Sequence, residues 1–146
     1  MKKKSTKPVI VKISAEALDK NGYHIFLTTK LNDKKCRFLI DTGASHSVID
    51  KTYFEKKLNE KKLKTVKQST TGLHSSTTES HYGKIKTWAL GSFVIKSFTF
   101  AAIDLGHVNN TYKSLGKPKI QGILGSDVLV KYKAIIDYGK LELIFG

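Results

Sequence analysis

The sequence predicts a mainly β fold, a closed β-barrel with one or two short helices. Three observations lead to this prediction. Short apolar or alternating segments recur along most of the chain, two-residue turn signals such as Asn21-Gly22 and Gly91-Ser92 separate several of them, and only one segment has clear helical periodicity. Many short strands joined by tight turns are typical of a β-barrel.

Three strands are predicted in the first part of the chain. Asn21-Gly22 lies between the segments Pro8–Ile13 and Tyr23–Leu31, and this dipeptide is the strongest short signal for a hairpin. We therefore expect the two segments to pair. A second turn, LNDKKC, leads to a third strand at Phe38–Ile40.

Helical periodicity follows this third strand. The apolar residues between Val48 and Leu63 have spacings that suit a short strand and then one amphipathic helix, for which Asp50 is a suitable N-cap. Two further strands are predicted at Tyr82–Leu90 and Phe93–Leu105.

The last third of the chain begins with GHVNNTYKSLGKPK, residues 106–119, which we predict to be a long loop of the size usually associated with function. In Ile123-Leu124-Gly125, the glycine lets another backbone approach closely. A short helix, Ser126–Tyr132, is expected next, capped by Ser126 or Asp127. A terminal hairpin then pairs KAIIDY with KLELIF.

Length and composition indicate one domain. The chain has 146 residues, of which 40% are hydrophobic, and we assign a basic tail to residues 1–7 and a single domain to residues 8–146. The net charge is +14, but Arg37 is the only arginine and the lysines are spread along the chain. This pattern favours a solvated lysine-rich surface over nucleic-acid binding.

The cysteine count and the lengths of the apolar runs predict the cellular location. Cys36 is the only cysteine, so no disulfide forms within the chain and a reducing compartment is compatible. The basic N-terminus precedes an apolar run too short for a signal peptide, and no segment has the length of a membrane span. We therefore expect a cytoplasmic protein without a membrane partner.

Two motifs resemble a known family. An apolar strand ends in Asp41-Thr42-Gly43-Ala44-Ser45, and Ile123-Leu124-Gly125 follows further along the chain, before a short helix and AIIDYGKLELIF. This order is similar to that of the retropepsin-like, or retroviral-type, aspartic proteases, and most similar to the single-lobe bacterial members of the pepsin/retropepsin superfamily. The resemblance extends from about Val9 onward and implies the acid-protease barrel lobe.

The resemblance implies an aspartic endopeptidase that acts on an extended peptide or protein and needs no cofactor. Such hydrolysis requires two carboxylates that share one proton, one accepting a proton from water and the other donating to the scissile carbonyl. The chain has one such motif, so Asp41 would meet its counterpart in a homodimer. Asp137-Tyr138-Gly139 is a poor internal partner, because only seven residues follow Gly139.

The resemblance also implies roles for the residues around Asp41. Thr42 would reach the partner's loop, and Gly43 would leave room for the dyad and substrate. Ala44 lacks the hydroxyl donor that pepsin-branch enzymes often have there, which favours a working pH nearer neutral. Ser45 and Ser126 stand where retroviral enzymes usually have Asp and Arg, so that ion pair is missing and the strength of dimerisation stays open.

A flap is expected over the substrate. The segment from Gln68 to Tyr82 is in the right place for such a lid, although its composition also suits an exposed polar loop. Its tip would comprise Gly72, Leu73, His74, Ser75 and Ser76.

Other functions fit the sequence less well. The sequence GASHS resembles a nucleophile elbow but lacks its closing glycine, and the five histidines have no metal-ligand spacing, so no metal site is expected. A catalytically inactive peptide-binding module on the same fold is the main alternative. A lysine-rich barrel that associates with nucleic acid is a weaker one.

Overall fold

The computed structural model describes residues 7–58, 63–70 and 76–146, without the side chains of 68–70 and 76–78. Most elements are strands, as predicted, with short helical segments between them. The strands are β1 (Val9–Lys12), β2 (Ser14–Ala17), β3 (Tyr23–Leu31), β4 (Lys34–Ile40), β5 (Val48–Asp50), β6 (Lys64–Thr70), β7 (Ser76–Leu90), β8 (Phe93–Ile103), β9 (Gly122–Leu124), β10 (Ile135–Asp137) and β11 (Glu142–Phe145). The helices are α1 (Lys51–Tyr53), continued by a π-helical turn (Phe54–Leu58), α2 (Gly106–Ser114) and α3 (Ser126–Lys131).

The larger sheet has eight strands in the order β2-β3-β4-β9-β5-β8-β7-β6. β3 also pairs with β7, with Leu31 opposite Trp88, so the sheet folds back on itself. Trp88, Phe38 and Phe100 are fully buried between its walls, with ring centroids 4.7 to 5.9 Å apart. Large aromatic side chains on alternate strand positions thus form the core, which confirms the mainly β prediction.

A smaller sheet joins the two ends of the described chain. β11 lies between β1 and β10, and pairs antiparallel with both. The expected pairing of Pro8–Ile13 with Tyr23–Leu31 is therefore wrong, because β1 pairs with β11 and the strand that forms the hairpin with β3 is β2. The turn between β2 and β3 forms where Asn21-Gly22 predicts it, and the Asp19 carboxylate accepts the backbone N–H groups of both turn residues.

Asp50 caps the first helical segment, as predicted. Its Oδ2 accepts the backbone N–H of Tyr53 at 3.1 Å, and its Oδ1 accepts that of Leu105 at 2.9 Å. The following π-helical turn buries Phe54 and Leu58 in the core. One carboxylate therefore starts the helix and joins it to the segment that follows β8.

The prediction of a long loop at residues 106–119 is wrong, because the first part of this segment forms the helix α2. Tyr112 is the only residue of α2 that is buried, so the segment lacks the apolar stripe that predicts a helix from sequence. The Asn109 side chain fixes the helix to the segment after it by bonding the N–H and the carbonyl of Ile120, at 2.8 and 3.0 Å. Tertiary contacts thus stabilise a helix that the sequence pattern does not predict.

The cap predicted for the last helix is also wrong. Gly125 occupies the N-cap position of α3 and no side chain caps it. Ser126 and Asp127, the two expected caps, are the first residues of the helix and bond to the loop after β4 instead. Across the described ranges, no helix is both long and apolar enough to traverse a bilayer.

Candidate active site

Asp41 lies at the end of a central strand. β4 runs parallel to β9, with Ile40 opposite Leu124, and the Asp41 N–H continues this pairing by donating to the Leu124 carbonyl at 3.0 Å. The residues before Asp41 are buried, whereas Asp41 itself is half-buried. The sheet therefore fixes the backbone of Asp41 and presents its carboxylate at the edge of the core.

The turn after Asp41 is built around the carboxylate. Gly43 donates its N–H to Asp41 Oδ1 at 3.0 Å, and Ala44 donates to the Asp41 carbonyl at 3.1 Å. A Cβ atom at Gly43 would lie 3.3 Å from the same Oδ1, so a side chain would crowd the carboxylate. Thr42, Gly43 and Ser45 are exposed. The tip of the turn is therefore open to another molecule.

Gly125 packs directly against this loop. A Cβ atom there would lie 2.8 Å from the Ala44 carbonyl oxygen and 2.8 Å from the His46 carbonyl carbon, both backbone atoms that have little freedom to move. Ser126 adds two bonds, because its N–H and its hydroxyl both donate to the Ala44 oxygen, at 2.8 and 3.0 Å. The two sequence motifs are thus in direct contact, and glycine is the residue that permits it.

A buried serine and a carboxylate join the same two segments. Ser47 Oγ donates to Asp127 Oδ1 at 2.7 Å and accepts the Gly125 N–H at 2.9 Å. The Ser47 N–H lies 3.0 Å from both Asp127 oxygens. We call Ser47, Gly125 and Asp127 the loop bridge. Sequence reasoning missed it, although a serine directly before the apolar pair Val48-Ile49 is a usable signal of a buried polar group.

The other predicted site residues have different outcomes. Gly72, Leu73, His74 and Ser75 lie outside the described residues, and Ser76 is the first residue of β7. β6 and β7 pair antiparallel as far as Thr70 and Ser76, so the candidate flap tip connects these two strands. Asp137 Oδ1 accepts the Lys140 N–H at 2.9 Å, a bond typical of a turn aspartate. No cluster of metal-ligating side chains occurs in the part of the chain that the structure describes.

The fold and these two motifs define the class of retropepsin-like aspartic proteases. A family model described as aspartyl protease matches residues 27–128. Because this match includes more than half of the chain, the protein belongs to the aspartyl protease family. No curated protein sequence matches the chain significantly.

Solved structures share the fold. A retropepsin-like aspartic protease from Rickettsia conorii is similar with a TM-score of 0.59 and 23% identity, over 99% of this chain and 96% of that one. The retroviral protease-like domain of Ddi1 from Leishmania major is similar with a TM-score of 0.53 and 18% identity, over 82% and 86% of the two chains. At these identities the likeness establishes the fold.

Proposed function

We propose that the protein is an aspartic endopeptidase that cuts extended peptides or proteins with a water molecule activated by Asp41. The observation that supports this most is the position of the carboxylate. Asp41 follows a buried strand, its Oδ1 accepts the Gly43 N–H, and the turn around it is exposed. A fixed carboxylate beside open space is what a general acid–base group requires.

One Asp41 is half of the proposed machinery. Two carboxylates about 3 Å apart cannot both ionise, so a pair of them holds one proton between them. The ionised member removes a proton from water, and the protonated member donates to the carbonyl oxygen of the scissile bond. The pair would form across a homodimer axis, where each subunit contributes the same turn.

Neighbouring residues have proposed supporting roles. The exposed Thr42 would contact the partner's turn, Gly43 would leave space for substrate, and Ala44 and Ser45 complete the loop that contacts Ile123-Leu124-Gly125. The hairpin of β6 and β7 would cover the bound peptide. The single buried cysteine is compatible with the proposed cytoplasmic setting.

A peptide-library digest read by mass spectrometry tests the activity. Wild-type protein, Asp41→Asn and Asp137→Asn are compared from acid to neutral pH. We expect Asp41→Asn to abolish the cuts made by wild type. Asp137→Asn should retain them, because Asp137 serves a turn. Identical cuts from wild type and Asp41→Asn, or no cuts from wild type at any pH, would exclude the proposed activity and favour the inactive peptide-binding module.

Mixing wild type with Asp41→Asn tests the dimer. At about ninefold excess of variant, only about one wild-type chain in ten pairs with another wild-type chain, so activity per wild-type chain should fall about tenfold. Excess Asp137→Asn should cause no such loss. Unchanged activity per wild-type chain after subunit exchange would contradict a shared site, as would an active species that sediments as a monomer.

A further inference from the structure

Polar residues continue across the sheet from Asp41. β3 and β4 pair with Ile25 opposite Ile40, and the next step of this register places His24 opposite Asp41. In the adjacent pair of strands, Glu16 lies opposite His24. Residues directly opposite each other share a face of the sheet and lie about 5 Å apart, so Glu16 is about 10 Å from Asp41.

Helix α2 contacts this face through Tyr112. The Tyr112 hydroxyl is 2.8 Å from His24 Nδ1, and the Tyr112 ring packs edge-on against Phe26 with centroids 5.4 Å apart. Burial raises the pKa of Tyr112; the positive charge of Arg37 opposes this, whereas the negative charge of Asp41 adds to it. The Tyr112 hydroxyl therefore contacts the residue that the strand register places opposite Asp41.

Glu16 is bound by two cations. Its Oε2 lies 2.9 Å from Arg37 Nη2, and its Oε1 lies 3.7 Å from Lys117 Nζ. Burial opposes ionisation of Glu16, but Arg37, the Ser14 hydroxyl and Lys117 together outweigh it and leave the pKa lowered. Glu16 is thus ionised at neutral pH, and one negative charge faces two positive charges.

The positive charge has no further compensation on the neighbouring segment. Residues 106–119 contain three lysines and no acidic residue. Arg37 lies 3.9 Å over the ring of Phe26, and neither its Nε nor its Nη2 has a well-oriented hydrogen-bond acceptor among the described residues, so Nη2 meets Glu16 as an ion pair. Lys117 is half-buried beside Glu16, whereas Lys113 on the same segment is exposed. At the Glu16 end of this face, about 10 Å from Asp41, two positive charges therefore meet one negative charge.

We propose that these residues form a specificity subsite that selects an acidic substrate side chain within three residues of the scissile bond. We call it the polar row, and it comprises Glu16, His24, Arg37, Tyr112 and Lys117. The inference rests on the proposed peptidase function. An extended peptide rises about 3.3 Å per residue, so its third residue from the scissile bond reaches the level of Glu16 and Lys117. A glutamate there supplies the second negative charge.

Paired peptides test this selectivity. Each pair differs only by Glu or Gln at one position within three residues of the cut, and kcat/KM is measured at one ionic strength. We expect wild type to prefer the Glu peptide about fivefold at one such position, the upper range for a partly exposed ion pair. Lys117→Met should lose this preference. Lys113→Met removes the same charge from the same segment and should retain it.

Two results would overturn the subsite: equal kcat/KM for all Glu and Gln pairs with wild type, or an equal loss of preference in both lysine variants. If wild type cuts no peptide, the proposed peptidase function fails separately, and fluorescence polarisation with labelled peptides then decides the subsite. Tighter binding of the Glu peptide that depends on Lys117 supports it. Equal binding of both peptides, or no binding, overturns it.

Discussion

Replacing Ser47 with alanine removes one hydroxyl group from a buried position between two loops. That hydroxyl donates to Asp127 at 2.7 Å and accepts the Gly125 N–H at 2.9 Å. Ser47 is 1% exposed, so water has little access to the groups that lose their partner. The substitution leaves the Ser47 backbone N–H and its bond to Asp127 in place.

The expected loss follows from the two bonds. A hydrogen bond to a charged group contributes about 1.5–3 kcal/mol, and a buried donor without an acceptor costs about 1–3 kcal/mol. The two effects share one hydroxyl and do not add fully, so we expect Ser47→Ala to lower the free energy of unfolding by about 3 kcal/mol. For a chain of this size that lowers Tm by about 6–12 °C.

Urea and thermal unfolding at one fixed protein concentration measure this loss. Ser45→Ala is the matched control, because it removes the same hydroxyl from an exposed position in the same loop and should change stability by less than about 0.5 kcal/mol. A loss below about 1 kcal/mol for Ser47→Ala, or equal losses in both variants, would refute the structural role of the loop bridge.

Two further variants test other contacts. Gly125→Ala should lower the free energy of unfolding by at least about 2 kcal/mol, because its methyl group would lie 2.8 Å from the backbone of Ala44 and of His46; wild-type stability in thermal unfolding would show that this contact relaxes freely. Burial raises the pKa of the Cys36 thiol, and the Tyr53 hydroxyl only partly opposes this. The Cys36 thiol therefore keeps its proton to higher pH in the folded chain than in the unfolded chain. The free energy of unfolding has its full value below about pH 8 and falls as pH rises through the unfolded thiol pKa of about 8.5. Cys36→Ala should lessen the fall that urea titrations record between about pH 8 and 9.5, and an unchanged slope would contradict this assignment.

Sequence reasoning predicted the elements whose signals are local. Alternating and apolar residues located β3 at Tyr23–Leu31, Asn21-Gly22 located its turn, and Asp50 was recognised as a helix cap. These features depend on neighbouring residues and on a carboxylate that bonds within its own turn. A single sequence therefore contains enough information to find them.

The errors concern elements that depend on distant contacts. Helix α2 has one buried residue, Tyr112, and Asn109 fixes it to Ile120, neither of which produces helical periodicity. β1 pairs with β11, and no local signal distinguishes this pairing from a hairpin with β3. Asp127 follows a helix start and resembles a cap in sequence, but its carboxylate bonds to the distant Ser47.

The sequence indicates some residues of the candidate site and not others. The motif at Asp41 and the glycine at Gly125 were found from their order in the chain, and the close approach expected at Gly125 follows from its missing side chain. The loop bridge was not found, because Ser47 has no local feature that names Asp127 as its partner. His24, a member of the proposed subsite, was not predicted either, since its position opposite Asp41 follows from the strand register.

The loop bridge has a consequence for the order of folding. Ser47 and Asp127 are 80 positions apart, and the ion pair between Lys12 and Glu142 joins residues 130 positions apart. Contacts of such long range close large loops of chain and form slowly. While the chain leaves the ribosome, the turn at Asp41 is made early but receives its support only after Asp127 has emerged. The proposed active-site turn would therefore gain this support only once residue 127 has left the ribosome.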